Sequence, residues 1–298
     1  MPRPYEDYVW PKATVLQRLS CYAMAVPWLQ RLTLGSLKRD LSSTGNAFIE
    51  CYGLEEDRRE PSAIDKTCIY PLVIGQSDFA AVRRACKAQQ VSVHSAIQAA
   101  GTQAIVDMIV DASQQQGVDI HSYAEQNVNC SGVLSRDDVT ISSYACPLVY
   151  VMQTRFKLED YTDEAAGGDF WSRARRIQAH IRASMVSSQV GFLLFSRAGR
   201  GYYEQLLDGR MNILLAFTNL GNCNYLNRPR AAGLKVNAHY SAATEHRAGA
   251  IFCNAVTSVD DKLCWSVTYY TNVTTQELAA RYLHRAVDVL LRNCATCD

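Results

Sequence analysis

From residue 66 to the end, short apolar runs of strand length alternate with stretches of helical period. Thr67–Ile74 (TCIYPLVI) reads as a strand closed by Gly75. Ser77 is expected to cap a helix over 78–90, where Phe79, Val82 and Cys86 recur at helical spacing. Ser92 is expected to cap the next helix, with Val93, Ile97, Ala100, Ala104 and Met108 on its apolar stripe. Ala99, Ala100, Gly101 and Ala104 are small enough to admit another element closely. Gln126–Leu134 and Pro147–Leu158 read as strands, and the nearly unbroken apolar run PLVYVM suits a strand covered on both faces. Asp169 is expected to cap a helix that buries Phe170, Ala174, Ile177, Ile181 and Met185. Ile213–Asn219 (ILLAFTN) is the candidate for a central strand and stops at Gly221. Ala248–Val259 and Leu263–Tyr270 are expected to form a hairpin about Asp260, Asp261 and Lys262. Thr274-Thr275-Gln276-Glu277 fits a capping box that opens a last amphipathic helix to about Arg292. Strands interleaved with helices, ending in a hairpin, specify a mixed β-sheet covered by helices, an α/β fold.

The first 65 residues lack this regularity. Residues 13–40 have helical character broken by Pro27, and 41–65 read as a long surface connection with a charge cluster. The chain is therefore divided into a helical leader or linker over 1–65 and one domain over 66–298. Thirty Lys and Arg balance 29 Asp and Glu, a net charge of +1, which gives no global field for nucleic acid or an anionic membrane. Neither a signal-peptide pattern nor an apolar run long enough to span a bilayer is present, so a cytoplasmic protein is expected. The eleven cysteines are scattered and odd in number, and are expected to be reduced and mostly buried. Cys294-x-x-Cys297 lacks a second ligand pair, so no metal is expected.

Three stretches carry a family likeness. QQVSVHSAIQAAGTQAI (89–105) is similar to the helix that opens the second half of the CoA-dependent acyltransferase superfamily. That group includes chloramphenicol acetyltransferase, nonribosomal-peptide condensation domains and alcohol acyltransferases. FTNLGNC (217–223) resembles its strand ending in a Ser/Thr-Asn-Leu-Gly turn, and LCWSVTYYTNVTTQELAARYLHRAVDVLL (263–291) its last strand and closing helix. The resemblance implies the C-terminal lobe of a chloramphenicol acetyltransferase-like fold over 66–298. It also implies transfer of an acyl group from an acyl-CoA or carrier thioester to an alcohol or amine, in a tunnel between two lobes. The base of such proteins is a His in an HHxxxDG motif of the first lobe, and acyl-CoA is a cosubstrate rather than a bound cofactor. No HHxxxDG occurs in this sequence.

No catalytic residue is therefore assigned. The one HxxxD match, His284 to Asp288, falls within the closing helix pattern and lacks the following Gly, so it reads as a chance i, i+4 pair. The substrate-channel candidates are Thr218, Asn219 and Gly221, where a buried strand ends, and His239 in the polar stretch that follows. The competing reading of Asn219 is a side chain closing a turn on its own backbone, with Gly221 supplying an unusual φ. For His239 it is a solvent-facing loop residue without an orienting carboxylate. Arg173, Arg176 and His180, with Arg175 and Arg182, suit the wet side of an amphipathic helix better than a phosphate site. The Gly-rich SRAGRG (196–201) lacks the Lys of a phosphate-binding loop.

Three functions compete on this basis: an acyltransferase-like protein, a non-catalytic binding or scaffold protein of the same fold, and an unrelated α/β enzyme. The second expects an exposed apolar face open to self-association or a partner lobe.

Overall fold

A computed structural model describes residues 47–54, 66–113, 119–128, 148–157, 169–179, 181–182, 213–227, 235–242 and 250–295. The order of elements is α1 (Ala47–Cys51), β1 (Thr67–Ile74), α2 (Gln76–Ala88), α3 (Val93–Ser113), β2 (Asp119–Val128), β3 (Leu148–Lys157), α4 (170–179), β4 (Ile213–Asn222), a 3-10 helix (Asn224–Asn227), β5 (Phe252–Val259), β6 (Lys262–Tyr270) and α5 (Gln276–Ala295). One six-stranded sheet runs in the order β1-β6-β5-β4-β2-β3. β4 is parallel to both β2 and β5, and the other pairs are antiparallel, so the sheet is mixed.

Most expected elements are present. β1 matches its expected bounds, and the two-residue hairpin turn falls at Asp260 and Asp261, whose φ values of 51 and 56° form the twist that suits such turns. β4 runs on through Gly221 to Asn222. β2 begins seven residues before the expected start at Gln126, and the expected continuation beyond Val128 lies outside the described residues, as do Met185, His180 and 196–201.

Three local expectations are corrected. Ser77 does not cap α2: Gly75 holds that position, and its carbonyl accepts the Phe79 N–H at 2.9 Å. The buried stripe of Phe79, Val82 and Cys86 sets the phase of the helix, and Gln76 joins it while donating through its side-chain amide to the Asp260 carbonyl at 2.9 Å. The last helix is capped by Thr275, not through Thr274: the Thr275 hydroxyl accepts the Leu278 N–H at 3.2 Å, while Thr274 is buried and Glu277 faces Arg281 one turn on. The reading of 41–65 as a surface connection fails at α1, where Phe48 and Ile49 are buried in the core and the Tyr52 hydroxyl donates to the Met108 carbonyl at 3.0 Å. Ser92 and Asp169 do act as caps, accepting the N–H groups of Ser95 and Ser172 at 3.0 and 2.7 Å.

The helices α2, α3 and α5 pack on one face of the sheet. The core there joins Phe48, Ile97, Ile105, Phe217, Phe252, Val256, Trp265 and Tyr282. Arg285 on α5 ties down α3 through Asp111 at 2.5 Å and Asp107 at 3.6 Å. Gly101 of α3 shows how tightly the layers meet. A Cβ there would lie 2.6 Å from the Tyr282 hydroxyl and 2.8 Å from Phe217 Cζ. Gly101→Ala is therefore expected to destabilise the protein by about 1–3 kcal/mol, overpacking outweighing the better helix propensity of Ala. Urea titration of the two proteins measures the difference, and a stabilised variant would show that the layers can separate freely.

The sheet's opposite face has another character. Cys253, Ala255 and Thr257 of β5 and Cys264, Ser266 and Thr268 of β6 lie there, buried but small or hydroxylated. At edge strand β1 the same face carries Ile69, 41% exposed, and Val73, 40% exposed.

Candidate functional site

β4 ends in a turn built by its own side chains. Asn219 Oδ1 accepts the Gly221 N–H at 2.8 Å, and Gly221 adopts φ of +74°, a region that favours glycine. The pairing with β5 slips between Asn219 and Gly221, and Leu220 bulges out, 47% exposed. Asn222 Oδ1 then accepts the Asn224 N–H, and Asn224 Oδ1 accepts the Asp260 N–H, both at 2.8 Å. The Cys223 N–H donates to the Ser258 carbonyl at 2.7 Å. Three asparagines and one backbone bond thus fix the strand end against the β5–β6 turn.

The chain returns over the sheet face that the helices leave free. Asn227 clamps Val236 twice, accepting its N–H at 2.6 Å and donating to its carbonyl at 2.9 Å. Lys235 pairs with Asp260 at 2.9 Å. The Thr257 hydroxyl donates to the His239 carbonyl at 2.6 Å, and the Ser266 hydroxyl donates to the Ser241 carbonyl at 2.9 Å. The segment 235–242 is therefore a strap laid from β5 to β6.

Sheet register relates the strap to the strand end. Gly221 pairs with Thr257, which pairs with Cys264; Thr218 pairs with Ala255, which pairs with Ser266. Gly221 and His239 thus both meet Thr257, while Thr218 lies beside Ala255 two residues earlier on β5, and Asn219 forms the turn between Thr218 and Gly221. The oxygen of Asn219 is engaged by its own turn, which is the structural role weighed against a substrate role from sequence. His239 is half-buried rather than a free loop residue, and its Nδ1 is buried without a hydrogen-bond partner. Burial, and then the nearby Cys264, push the hydroxyl of Tyr240, on the strap itself, above the usual tyrosine range, so it stays protonated.

Thr257 and Ser266 were not candidates from sequence. Their signal was present in the alternation of small or hydroxylated residues with bulky ones along both strands of the hairpin, a period of two that marks the two faces.

The remaining expected features lie elsewhere. His284 sits on uninterrupted α5, where its Nε2 is 3.0 Å from the Tyr70 hydroxyl, and Asp288 is exposed on the next turn, so the pair does not reach the strap. On α4, Arg175 bonds Gln89 at 3.0 Å, and Gln178 joins the backbone of Gln90 and Ser92, so this helix is used to brace the α2–α3 corner. The seven cysteines among the described residues form no disulfide, and five of them are buried. Among the described residues no group of His, Cys, Asp and Glu converges as metal ligands, and no helix is long and apolar enough to cross a membrane.

No family model and no curated protein matches the sequence. Solved structures do match the fold. TRI3 trichothecene 15-O-acetyltransferase from Fusarium sporotrichioides aligns with a TM-score of 0.57 and 14% identity, over 84% of this chain and 53% of its own. Polyketide synthase associated protein 5 from Mycobacterium tuberculosis aligns with a TM-score of 0.55 and 11% identity, over 84% of this chain and 58% of its own. The condensation domain of Monacolin K polyketide synthase MokA aligns at 0.51 and 11% identity, over 80% of this chain and 49% of its own. The chain thus shares the mixed α/β fold of about half of each of these structures, as the sequence resemblance implies, and it spans about half their length.

Proposed function

We propose that the chain acts in acyl transfer, moving an acyl group from an acyl-CoA or carrier thioester to an alcohol or amine. Thr218, Asn219, Gly221 and His239 line the substrate channel in this reading, and 66–298 is an acyltransferase-like C-terminal lobe of a cytoplasmic protein, with 1–65 leading into it. The observation that carries the proposal is the meeting of the β4 end and the strap through Thr257, on a fold that an O-acetyltransferase also has. A small, hydroxylated and covered sheet face is unlike a packing surface, which would be filled by large apolar side chains. It suits a polar reaction sheltered from water, because hydrogen bonds to developing charge strengthen where the dielectric is low.

The non-catalytic alternative is favoured by two observations, the absence of HHxxxDG from the sequence and the exposed apolar row of Ile69 and Val73. One assay separates the two readings. The purified protein is incubated with acetyl-CoA or a long-chain acyl-CoA and an alcohol or amine acceptor, and released thiol is followed with a chromogenic disulfide. Acyl transfer expects acceptor-dependent thiol release, reduced about tenfold in kcat/KM by Asn219→Ala, because loss of the turn bond displaces the channel wall. Binding of acyl-CoA without release would leave only the scaffold reading.

A further inference from the structure

We infer that the strap 235–242 is a gate. It swings off the sheet about its clamped end at Val236, while the layers beneath stay folded, and uncovers the patch formed by Thr257, Cys264 and Ser266. The inference goes beyond acyl transfer and stands without it, because it concerns access to this sheet face and no chemical step.

The way the strap is held carries the inference. None of residues 235–242 is buried, whereas Thr257, Cys264 and Ser266 below them are. The strap therefore has no apolar anchor of the kind that Phe48 gives α1. Among the described residues no backbone–backbone hydrogen bond joins it to the sheet.

Its two ends are unlike. At the start, Asn227 bonds both the N–H and the carbonyl of Val236, at 2.6 and 2.9 Å, and Lys235 pairs with Asp260 at 2.9 Å. Past Val236 two bonds hold it to the sheet. The Thr257 hydroxyl donates to the His239 carbonyl at 2.6 Å, and the Ser266 hydroxyl donates to the Ser241 carbonyl at 2.9 Å. Both are neutral bonds, and water replaces them at little net loss once the partners separate. Opening also relieves a penalty of the closed form, in which His239 Nδ1 is buried without a hydrogen-bond partner. A segment with few apolar contacts and few bonds opens locally, well before the whole domain unfolds.

Cys264 reports on the movement. It is 1% exposed and lies cross-strand from Thr257, which holds the strap. Its thiol is near enough to Tyr240 of the strap to act on the phenol. On its other side Cys264 pairs with Val73 of edge strand β1, which is 40% exposed. Lifting Tyr240 away therefore brings solvent to the thiol. Cys86 and Cys294 are as well hidden, but they belong to the core under the helices, so only opening of that core exposes them.

The test labels the full chain with N-ethylmaleimide, in urea concentrations below the unfolding transition, and assigns the label to each cysteine by peptide mapping. Cys264 is expected to react at least about a hundredfold faster than Cys86 and Cys294. Its rate should scarcely change with urea, because strap opening exposes little surface, while the rates of Cys86 and Cys294 climb with the slope of global unfolding. Thr257→Val combined with Ser266→Ala removes both bonds beyond Val236 and should speed Cys264 about tenfold. Tyr240→Ala removes the cover and leaves every sheet residue in place, so it should speed Cys264 without moving the urea midpoint. Either of two results overturns the gate. One is a Cys264 rate with the urea slope of Cys86 and Cys294, meaning that the strap leaves only when the fold does. The other is a Cys264 rate that neither the double variant nor Tyr240→Ala changes, meaning that the strap does not control access. Neither result bears on acyl transfer, which thiol release from acyl-CoA decides separately.

Discussion

Asn254→Leu is expected to lower the unfolding free energy by about 3–5 kcal/mol, a large part of what a domain possesses. Asn254 is completely buried on β5, facing the helices. Its Oδ1 accepts two hydrogen bonds, from Trp265 Nε1 at 3.0 Å and from the Tyr282 hydroxyl at 3.1 Å. Its Nδ2 donates to the Ala216 carbonyl at 3.1 Å. One side chain thus links β4, β5, β6 and α5. Burial drives the Tyr282 phenol far above the usual tyrosine range, so it remains a neutral donor at any ordinary pH. Leucine fills a similar volume but leaves both donors unpaired in an apolar core, and the cost arises from those orphaned donors rather than from lost contacts. The mechanism makes a second, sharper demand. The triple variant Asn254→Leu, Trp265→Phe, Tyr282→Phe removes the donors as well, and should recover at least half of the loss. Urea midpoints at constant slope measure both effects; a triple variant no more stable than the single one would show that packing, not hydrogen bonding, dominates at this position.

Phe48→Ala is expected to cost about 3–5 kcal/mol, as for other fully buried aromatic side chains. The ring of Phe48 is fully buried, meeting Tyr52 at 4.7 Å and Phe252 edge-on at 5.4 Å between centroids. Phe252 in turn stacks on Tyr282 at 4.7 Å, with the rings 1° from parallel. Truncating Phe48 therefore opens a cavity at one end of an aromatic column that spans α1, β5 and α5. Leu220→Ala, at an exposed position, is the comparison and should change stability by less than about 0.5 kcal/mol. Equal midpoints for Phe48→Ala and wild type would mean that α1 is not needed by the core it covers.

These two residues show where sequence reasoning succeeds and where it stops. The hairpin of β5 and β6, strand β1 and helix α5 were legible because their apolar runs or stripes are long and are bounded by turn residues such as Gly75 and the Asp260–Asp261 pair. Five-residue α1 shows no period, since it is barely more than one turn, and only tertiary packing distinguishes Phe48 from a loop residue. β2 was placed too late because DIHSYAEQNV carries few apolar residues. Flanked by β3 and β4, it takes its hydrogen bonds from neighbours on both sides, which propensity does not register. Thr274 and Thr275 offer equivalent hydroxyls to α5, and the burial of Val273 and Leu278 decides between them. In the site, the turn at Asn219 and Gly221 could be read from residue types alone. The approach of His239 could not, because it depends on Thr257 and Ser266, whose hydroxyls are ordinary strand residues until a covering segment supplies acceptors.

The pairing of β1 with β6 sets a condition on how the protein is made. Thr67 meets Tyr270 and Ile74 meets Leu263, so β1 waits until residues 263–270 have left the ribosome before it has this neighbour. Throughout that interval TCIYPLVI is an unpaired, apolar, β-prone ribbon, the kind of segment that associates with other nascent chains. Pro71 in its middle cannot donate to an intruding strand, and acts as a safeguard during the delay. Translation halted shortly before residue 262 would leave this ribbon stranded, and holdase chaperones would be its natural company until synthesis resumed.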